Sequence, residues 1–387
     1  MKPLAAGPSQ TAHSGIREVV NVAITMPEAI RLEVGQPDFD TPEHITEATV
    51  RAVRDGMTKY TETAGLKSLR ELLVQKLASV NQIAVEPSQI NVTIGGVGGL
   101  AAALLALLEP GDEVLVPDPA WPNYRLELSY SPADVTRYPL RAAEDFVPDP
   151  DELASRITER TKVVIINSPC NPTGAVFPRS AVEDIVSVCQ EHDLYLISDE
   201  CYDEIVFEGE HVSPASFWND GHVISVFTFS KTYAMTGYRV GYVVSGHELA
   251  DVINKVLEAN MSCATSFAQK GAEAALTGPR EPVLKMLAAY KRRRDLVDGL
   301  LREYGMWTST PRGAFYAMAD VSQSGMESRT FAFKLLEDKG VAVAPGTAFG
   351  TAAQDLVRIS LASSEDDLQE GIRRMKSFVD EQSGRVS

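Results

Sequence analysis

What the sequence has little of already narrows its function. None of its apolar stretches is long enough to cross a bilayer, which takes about 20 consecutive apolar residues as a helix. Cysteines number four in 387 residues (Cys170, Cys189, Cys201, Cys263). They form no CxxC pair and have no histidine at metal-ligand spacing, so buried or incidental thiols are expected and no metal site is. Positive charge is short: 36 lysines and arginines face 53 acidic residues, a net charge of −17. Such a field repels polyanions, which argues against a nucleic-acid or anionic-membrane partner. A small anionic ligand stays open, because a few local cations can dominate a pocket. The one basic run, Lys291-Arg292-Arg293-Arg294, falls in a helical stretch and reads as a solvated face or subunit contact. No internal repeat or low-complexity tract occurs. Met1 to Gln10 carry one lysine and no apolar segment, unlike a secretion signal, so a cytoplasmic location is expected.

What is present is a globular composition, 44% hydrophobic and 23% charged. The length exceeds one ordinary core, so a large and a small lobe are expected. From about residue 90, short apolar runs alternate with helical ones. Strands are predicted over 90–94, 113–117, 162–167, 194–199, 222–229 and 239–245, and helices over 98–108, 179–192 and 248–260. Apolar strands alternating with helices indicate an α/β fold, a mainly parallel sheet covered on both faces. After Pro282 the pattern becomes α+β: helices over 283–303, 329–339 and 365–380, a short segment 313–320 and a strand 341–344. The division expected is therefore an N-terminal segment 1–45 lying on the small lobe, a large domain 46–282 and a small domain 283–387.

Ligands of such sheets gather at the carboxyl ends of strands, and four predicted ends carry chemistry. The turn Gly95-Gly96-Val97-Gly98-Gly99 precedes an apolar helix, whose N-terminal NH groups make a phosphate seat. It is neither a Walker motif nor a dinucleotide fingerprint. Ser-Pro-Cys-Asn-Pro-Thr-Gly at 168–174 is a turn in any protein, yet it holds Asn171 rigidly beside a strand end. Asp199 closes the next strand, where burial is costly without a cationic partner; a helix N-cap is the plainer alternative. Lys231 follows Phe229-Ser230, with Thr228 before it and Arg239 after it. A lysine there is commonly a surface residue, but partial desolvation would make it a nucleophile for carbonyl groups. Arginine and hydroxyl donors together suit a phosphate dianion. Jointly these ends supply an amine, a carboxylate, an amide and a phosphate seat, which are the needs of pyridoxal phosphate.

With these residues in place, the chain resembles the class I aminotransferases of pyridoxal-phosphate fold type I, especially the bacterial aspartate and broad-range branch. The resemblance runs from about Leu32 to the last helix. It rests on Val-Gly-Gln-Pro-Asp-Phe-Asp-Thr-Pro at 34–42, Lys-Tyr-Thr at 59–61 with Gly65-Leu66, and Asn-Ser-Pro-Cys-Asn-Pro-Thr-Gly at 167–174. Ser-Asp-Glu-Cys-Tyr at 198–202, the segment 230–241 and Arg-Ile-Ser at 358–360 complete it. It implies a large domain with a mainly parallel seven-stranded sheet and a smaller α+β domain. It further implies that Lys231 holds pyridoxal 5'-phosphate as a Schiff base and later shuttles the proton between Cα and C4′. Asp199 stays ionised against the ring nitrogen, while Asn171 and Tyr202 donate to the 3-oxygen. Arg239, Thr228, Ser230 and the backbone of Gly96 and Val97 hold the phosphate, and Trp121 stacks on the ring. Arg358 grips the substrate α-carboxylate, helped by Gly35 and Asn171. Tyr60 reaches the phosphate of a neighbouring subunit, so a homodimer with shared sites follows.

One position departs from the aspartate-using branch, which has lysine in the glycine turn for the side-chain carboxylate; here it is Val97. Neutral or aromatic donors are therefore expected in place of aspartate, unless Arg17 or Arg125 swings in. The reaction implied is ping-pong transfer of an amino group from an L-amino acid to a 2-oxo acid. The same site could instead run elimination, as a carbon–sulfur β-lyase. A regulator's effector domain is a third reading, and would need a winged helix ahead of it.

Overall fold

The computed structural model describes residues 14–131 and 133–384, together with Leu4, Gly7, Ser9 and Thr11. The expectation for Met1 to Gln10 thus lies largely outside the described residues. A helix, Gly15–Ala23, and a short strand β1 (Ile30–Arg31) come first. Helices Glu43–Arg54 and Lys67–Lys76 follow; neither was legible from the sequence.

A seven-stranded sheet is then built from β2 (Ile90–Thr93), β3 (Glu113–Asp118), β4 (Asp134–Pro139), β5 (Thr161–Asn167), β6 (Tyr195–Asp199), β7 (Val223–Thr228) and β8 (Gly241–Val244). Their order is β2-β8-β7-β6-β5-β3-β4. Only β8 runs against its neighbours. Alternate residues serve opposite faces of a strand, and here both faces are apolar. Val114, Val116, Val163 and Ile165 pack with Leu100, Leu104, Ile253 and Leu257 on one side. Leu115, Val164 and Ile166 pack with Val182, Ile185 and Cys189 on the other. Central strands therefore read as continuous apolar runs. The edge strand β4 is half exposed and polar, lacks that signature, and was missed.

The glycine turn is also tighter than expected, because the helix begins at Gly95 and spans Gly95–Leu107. Side chains would not fit there: a Cβ on Gly96 would sit 2.8 Å from Cys201 Sγ, and one on Gly99 2.4 Å from Val243 Cγ2. Helices Arg179–Glu191 and His247–Met261 match expectation. Ser266–Thr277 was not anticipated; it packs on Glu43–Arg54 and Lys67–Lys76.

A helix Glu281–Glu303 leads into β9 (Tyr316–Asp320), helix Ser328–Lys339, β10 (Val341–Ala342), β11 (Ala344–Pro345), β12 (Leu356–Ser360) and helix Glu365–Gln382. The single strand expected over 341–344 is in fact two. β10 pairs with β1, and β11 pairs with β12, which in turn pairs with β9. The helix Gly15–Ala23 lies against this region, with Glu18 paired to Arg329 at 2.9 Å.

The basic run needs correcting. Lys291 and Arg292 are exposed, but Arg293 and Arg294 are buried. Arg293 forks onto Asp38 at 2.9 and 2.7 Å, and Arg294 donates to the Pro311 carbonyl and Glu208. They share a helix face with Tyr290 and Val297, and helical spacing turns half of any such run inward. Among the described residues, no helix is long and apolar enough to cross a membrane.

Candidate active site

The expected strand ends converge. β5, β6 and β7 finish at Asn167, Asp199 and Thr228, while antiparallel β8 starts just after Arg239 at the same edge. The helix Gly95–Leu107 begins there too, and Trp121 stands at the head of the short helix Pro122–Leu128 after β3. A cavity of about 400 Å3 opens on this edge, in the size range of small-molecule sites. Its lining includes Gly35, Gly96, Val97, Trp121, Asn171, Asp199, Tyr202, Thr228, Ser230, Lys231, Arg239 and Arg358. Of the expected site residues, only Tyr60 is elsewhere: it is 89% exposed and does not line the cavity.

At the cavity floor, Lys231 Nζ donates to the Gly35 carbonyl at 2.7 Å and stands 5.6 Å from the ring centres of Tyr202 and Phe315. Asp199 is buried. Tyr124 donates its hydroxyl to Asp199 Oδ2 at 2.5 Å, and the Cys201 NH reaches Oδ1 at 3.2 Å. Burial pushes the Asp199 carboxyl above its ordinary range; hydrogen bonds from Tyr124 and Cys201 resist this, and nearby Glu200 adds to it. Its carboxylate partners among the described residues are Tyr124 and the Cys201 NH, and no cationic side chain pairs with it. A buried carboxylate aimed into a cavity without a cation is what a protonated ring nitrogen would satisfy.

The candidate anion seat consists of hydroxyls and one arginine. Thr228 Oγ1 donates to Ser230 Oγ at 2.9 Å and accepts the Ser230 NH at 3.2 Å. Arg239 takes a left-handed backbone (φ 55°) and donates to the Thr236 carbonyl. Its guanidinium lies so near Gly95 that a Cβ there would meet Nη2 at 2.4 Å. Glycine at 95 thus admits the arginine beside the helix N-terminus, a concentrated anion seat.

Opposite, the buried Arg358 leaves β12 and is sandwiched between Tyr316 (4.2 Å to the ring centre) and Phe349 (4.9 Å). Nη1 donates to Asn171 Oδ1 at 2.9 Å and Nη2 to the Glu33 carbonyl at 2.8 Å. Nε has no partner. Burial lowers its proton affinity, though a guanidinium stays charged in proteins. A buried, under-satisfied guanidinium is suited to a ligand carboxylate. Gly35 is required beside it, since a Cβ there would fall 2.9 Å from the Tyr316 hydroxyl.

The sequence reading missed several participants. Tyr124 lies one helical turn past Trp121, a spacing that could have been used. Asn167 holds the Asp199 carbonyl and the Asn171 NH at 2.9 and 2.8 Å. Tyr316 hydrogen-bonds Tyr202 at 3.0 Å, and burial raises the Tyr202 phenol well above its usual range, with Tyr316 adding to it. No local motif announces Tyr316, or Ile16, which also lines the cavity.

The carboxylate, the lysine and the phosphate seat fit pyridoxal phosphate, and comparison with known proteins agrees. The family model "Aminotransferase class I and II" matches residues 27–375. A probable aspartate/prephenate aminotransferase of Aquifex aeolicus is 41% identical, over 92% of each chain. The Thermus thermophilus aspartate aminotransferase with maleate superposes with a TM-score of 0.93 at 37% identity, covering 98% of this chain and 100% of that one. An aromatic aminotransferase from Pyrococcus horikoshii gives 0.90 at 36% identity, covering 96% and 100%. The chain belongs to the class I and II aminotransferases, a family that works with pyridoxal phosphate.

Proposed function

We propose that this aminotransferase takes neutral or aromatic L-amino acids as donors in preference to aspartate, and passes the amino group to a 2-oxo acid in a ping-pong cycle. The observation that carries this is the cavity's count of cations. Lys231, Arg239 and Arg358 are the only ones lining it among the described residues, and each already has a post at the amine, the phosphate or the α-carboxylate. Val97 and Ile16 add apolar wall. Arg17 and Arg125 are exposed and do not line the cavity. A side-chain carboxylate buried here without a partner would cost several kcal/mol.

In this reading bound pyridoxal phosphate supplies the electron sink and carries the amino group between half-reactions. Lys231 Nζ takes and returns the substrate Cα proton. Asp199, held by Tyr124, keeps the proton on the ring nitrogen. Asn171 and Tyr202 donate to the 3-oxygen, and Thr228, Ser230, Arg239 and the Gly96 and Val97 amides hold the phosphate. Trp121, which lines the cavity, would pack against the ring. Arg358 orients the substrate through its carboxylate, with Gly35 and Asn171 beside it. The exposure of Tyr60, together with exposed Val50 and Val53 on Glu43–Arg54, supports a homodimer in which Tyr60 completes the neighbour's phosphate seat. We also keep the division at 45 and 282: the helix Gly15–Ala23 and β1 pack on the region after Pro282, although Thr11 and Thr41 bond to Ser129 and Ala234 of the large domain.

Single-turnover rates with aspartate, alanine, valine, phenylalanine and methionine test the donor class, followed by 2-oxoglutarate, pyruvate and oxaloacetate as acceptors. Phenylalanine or another neutral donor should react fastest, and parallel double-reciprocal plots should report the ping-pong cycle. Aspartate reacting fastest would refute the reading from Val97. The lyase alternative is not favoured by the relatives; ammonia and pyruvate released from cystathionine without an acceptor would revive it.

A further inference from the structure

Asp118 is a buried carboxylate that none of the steps above uses. It ends β3, three residues before Trp121, yet its partners come mainly from the other lobe. Oδ2 accepts the Thr351 NH at 3.1 Å, the Thr351 hydroxyl at 2.8 Å and Arg137 Nη1 at 3.0 Å; Oδ1 accepts the Ala352 NH at 3.1 Å. The Thr351 and Ala352 donors sit on the loop between β11 and β12, whereas Arg137 belongs to β4. The approach is so close that a Cβ on Gly350 would lie 1.8 Å from Asp118 Oδ1. One residue earlier, Phe349 accepts the Ala120 NH on its carbonyl at 2.9 Å and turns its ring onto the Arg358 guanidinium. Behind the loop a second cavity of about 280 Å3, lined by Trp121, Phe349, Gly350 and Thr351 among others, leaves room for it to shift.

We propose that Asp118 is a positioning residue for substrate recognition: it clamps the loop that presses Phe349 against Arg358, and so holds the α-carboxylate site in register with the ring site at Trp121. The inference rests on Arg358 being that carboxylate site. A fully occupied, charge-assisted clamp is the strongest kind of hydrogen-bonded contact. It joins two segments more than two hundred residues apart, as no single motif could.

The test is the calorimetric Kd of the holoenzyme for 3-phenylpropionate and for maleate, carboxylates that lack an amino group. It compares wild type, Asp118→Ala, Asp118→Asn, Gly350→Ala and Arg358→Lys. Asp118→Ala and Gly350→Ala attack the clamp from its two sides. Each should weaken the better-bound carboxylate roughly ten- to a hundredfold, as small misplacements at a site do. Asp118→Asn, which keeps one acceptor and most of the shape, should fall between and serves if Asp118→Ala fails to fold. Pyridoxal phosphate retention should hold, and KM for amino acids should rise more than kcat falls. Unchanged Kd in the Asp118 and Gly350 variants, with binding lost in Arg358→Lys, overturns the clamp alone. Loss of cofactor in step with carboxylate binding also overturns it, by assigning Asp118 to the fold at large. If Arg358→Lys changes nothing, or wild type binds neither carboxylate, the Arg358 reading fails and the clamp with it.

Discussion

The two walls of the cavity are built in different ways. The wall proposed for the cofactor comes from one sheet: Asp199 and Thr228 close the apolar strands β6 and β7, and Asn171, Ser230 and Lys231 follow within four residues of β5 and β7. Each side chain is placed by the strand before it, and the core on both faces fixes those strands. The wall proposed for the substrate is framed only in part: Arg358 and Tyr316 stand on the paired strands β12 and β9, while Phe349, Glu33 and Gly35 lie outside any strand. Arg358, Tyr316, Phe349, Glu33 and Gly35 come from distant segments and are held by contacts between them. Arg293 on Asp38 secures the segment bearing Gly35, and Asp118 secures the loop bearing Phe349. A wall set by one rigid sheet should be tolerant at a distance. A wall held by side-chain contacts between separate segments should respond to changes far from the ligand.

The largest effect expected lies on the sheet side. Lys231→Ala should abolish turnover while leaving thermal stability and the circular-dichroism spectrum close to wild type, because among the described residues the lysine side chain hydrogen-bonds the Gly35 carbonyl alone. Turnover near wild type would move the proton transfer to another group. Next, Asp199→Asn should retain pyridoxal phosphate but raise the kcat barrier on the order of 3–5 kcal/mol, the usual penalty for removing one member of a buried charge pair. A near-normal kcat would remove Asp199 from its role.

On the substrate side, Arg358→Lys should raise KM for amino acids about ten- to a hundredfold, the worth of a charged hydrogen bond, with cofactor retention little changed. If retention falls equally, the two walls are not separable. A smaller effect concerns the cofactor-free protein. The Asp199 carboxyl is raised by burial, so the folded state holds that proton more tightly than the unfolded chain. Its contribution is therefore present at low pH and lost as pH rises from the ordinary carboxylate range through the raised value. Cofactor-free Asp199→Asn should accordingly lose less thermal stability than wild type over that rise, as scanning calorimetry would show. Parallel curves would mean that Asp199 is satisfied without the cofactor.

The same contrast explains what could be read in advance. Buried parallel strands write themselves as apolar runs, so Lys231, Asp199 and Asn171 were legible as strand ends, and the resemblance then gave each a role. The polar edge strand β4 and the alanine-rich helix Ser266–Thr277 carry no comparable pattern. Gly95 and Gly96 read as a turn, since sequence does not show that the helix there touches Arg239 and Cys201. Arg293 and Arg294 read as surface because a run of like charge conceals which members face inward. Arg358 was legible only through a family motif, while Tyr316, Phe349 and Asp118 owe their places to tertiary contacts alone.

The proposed function turns on the cofactor sitting at Lys231, three residues past the end of β7. Borohydride reduction of the holoenzyme followed by peptide mapping tests this directly. The label should appear on the peptide containing Lys231 and be missing from Lys231→Ala; label on any other lysine, or none, would contradict the account.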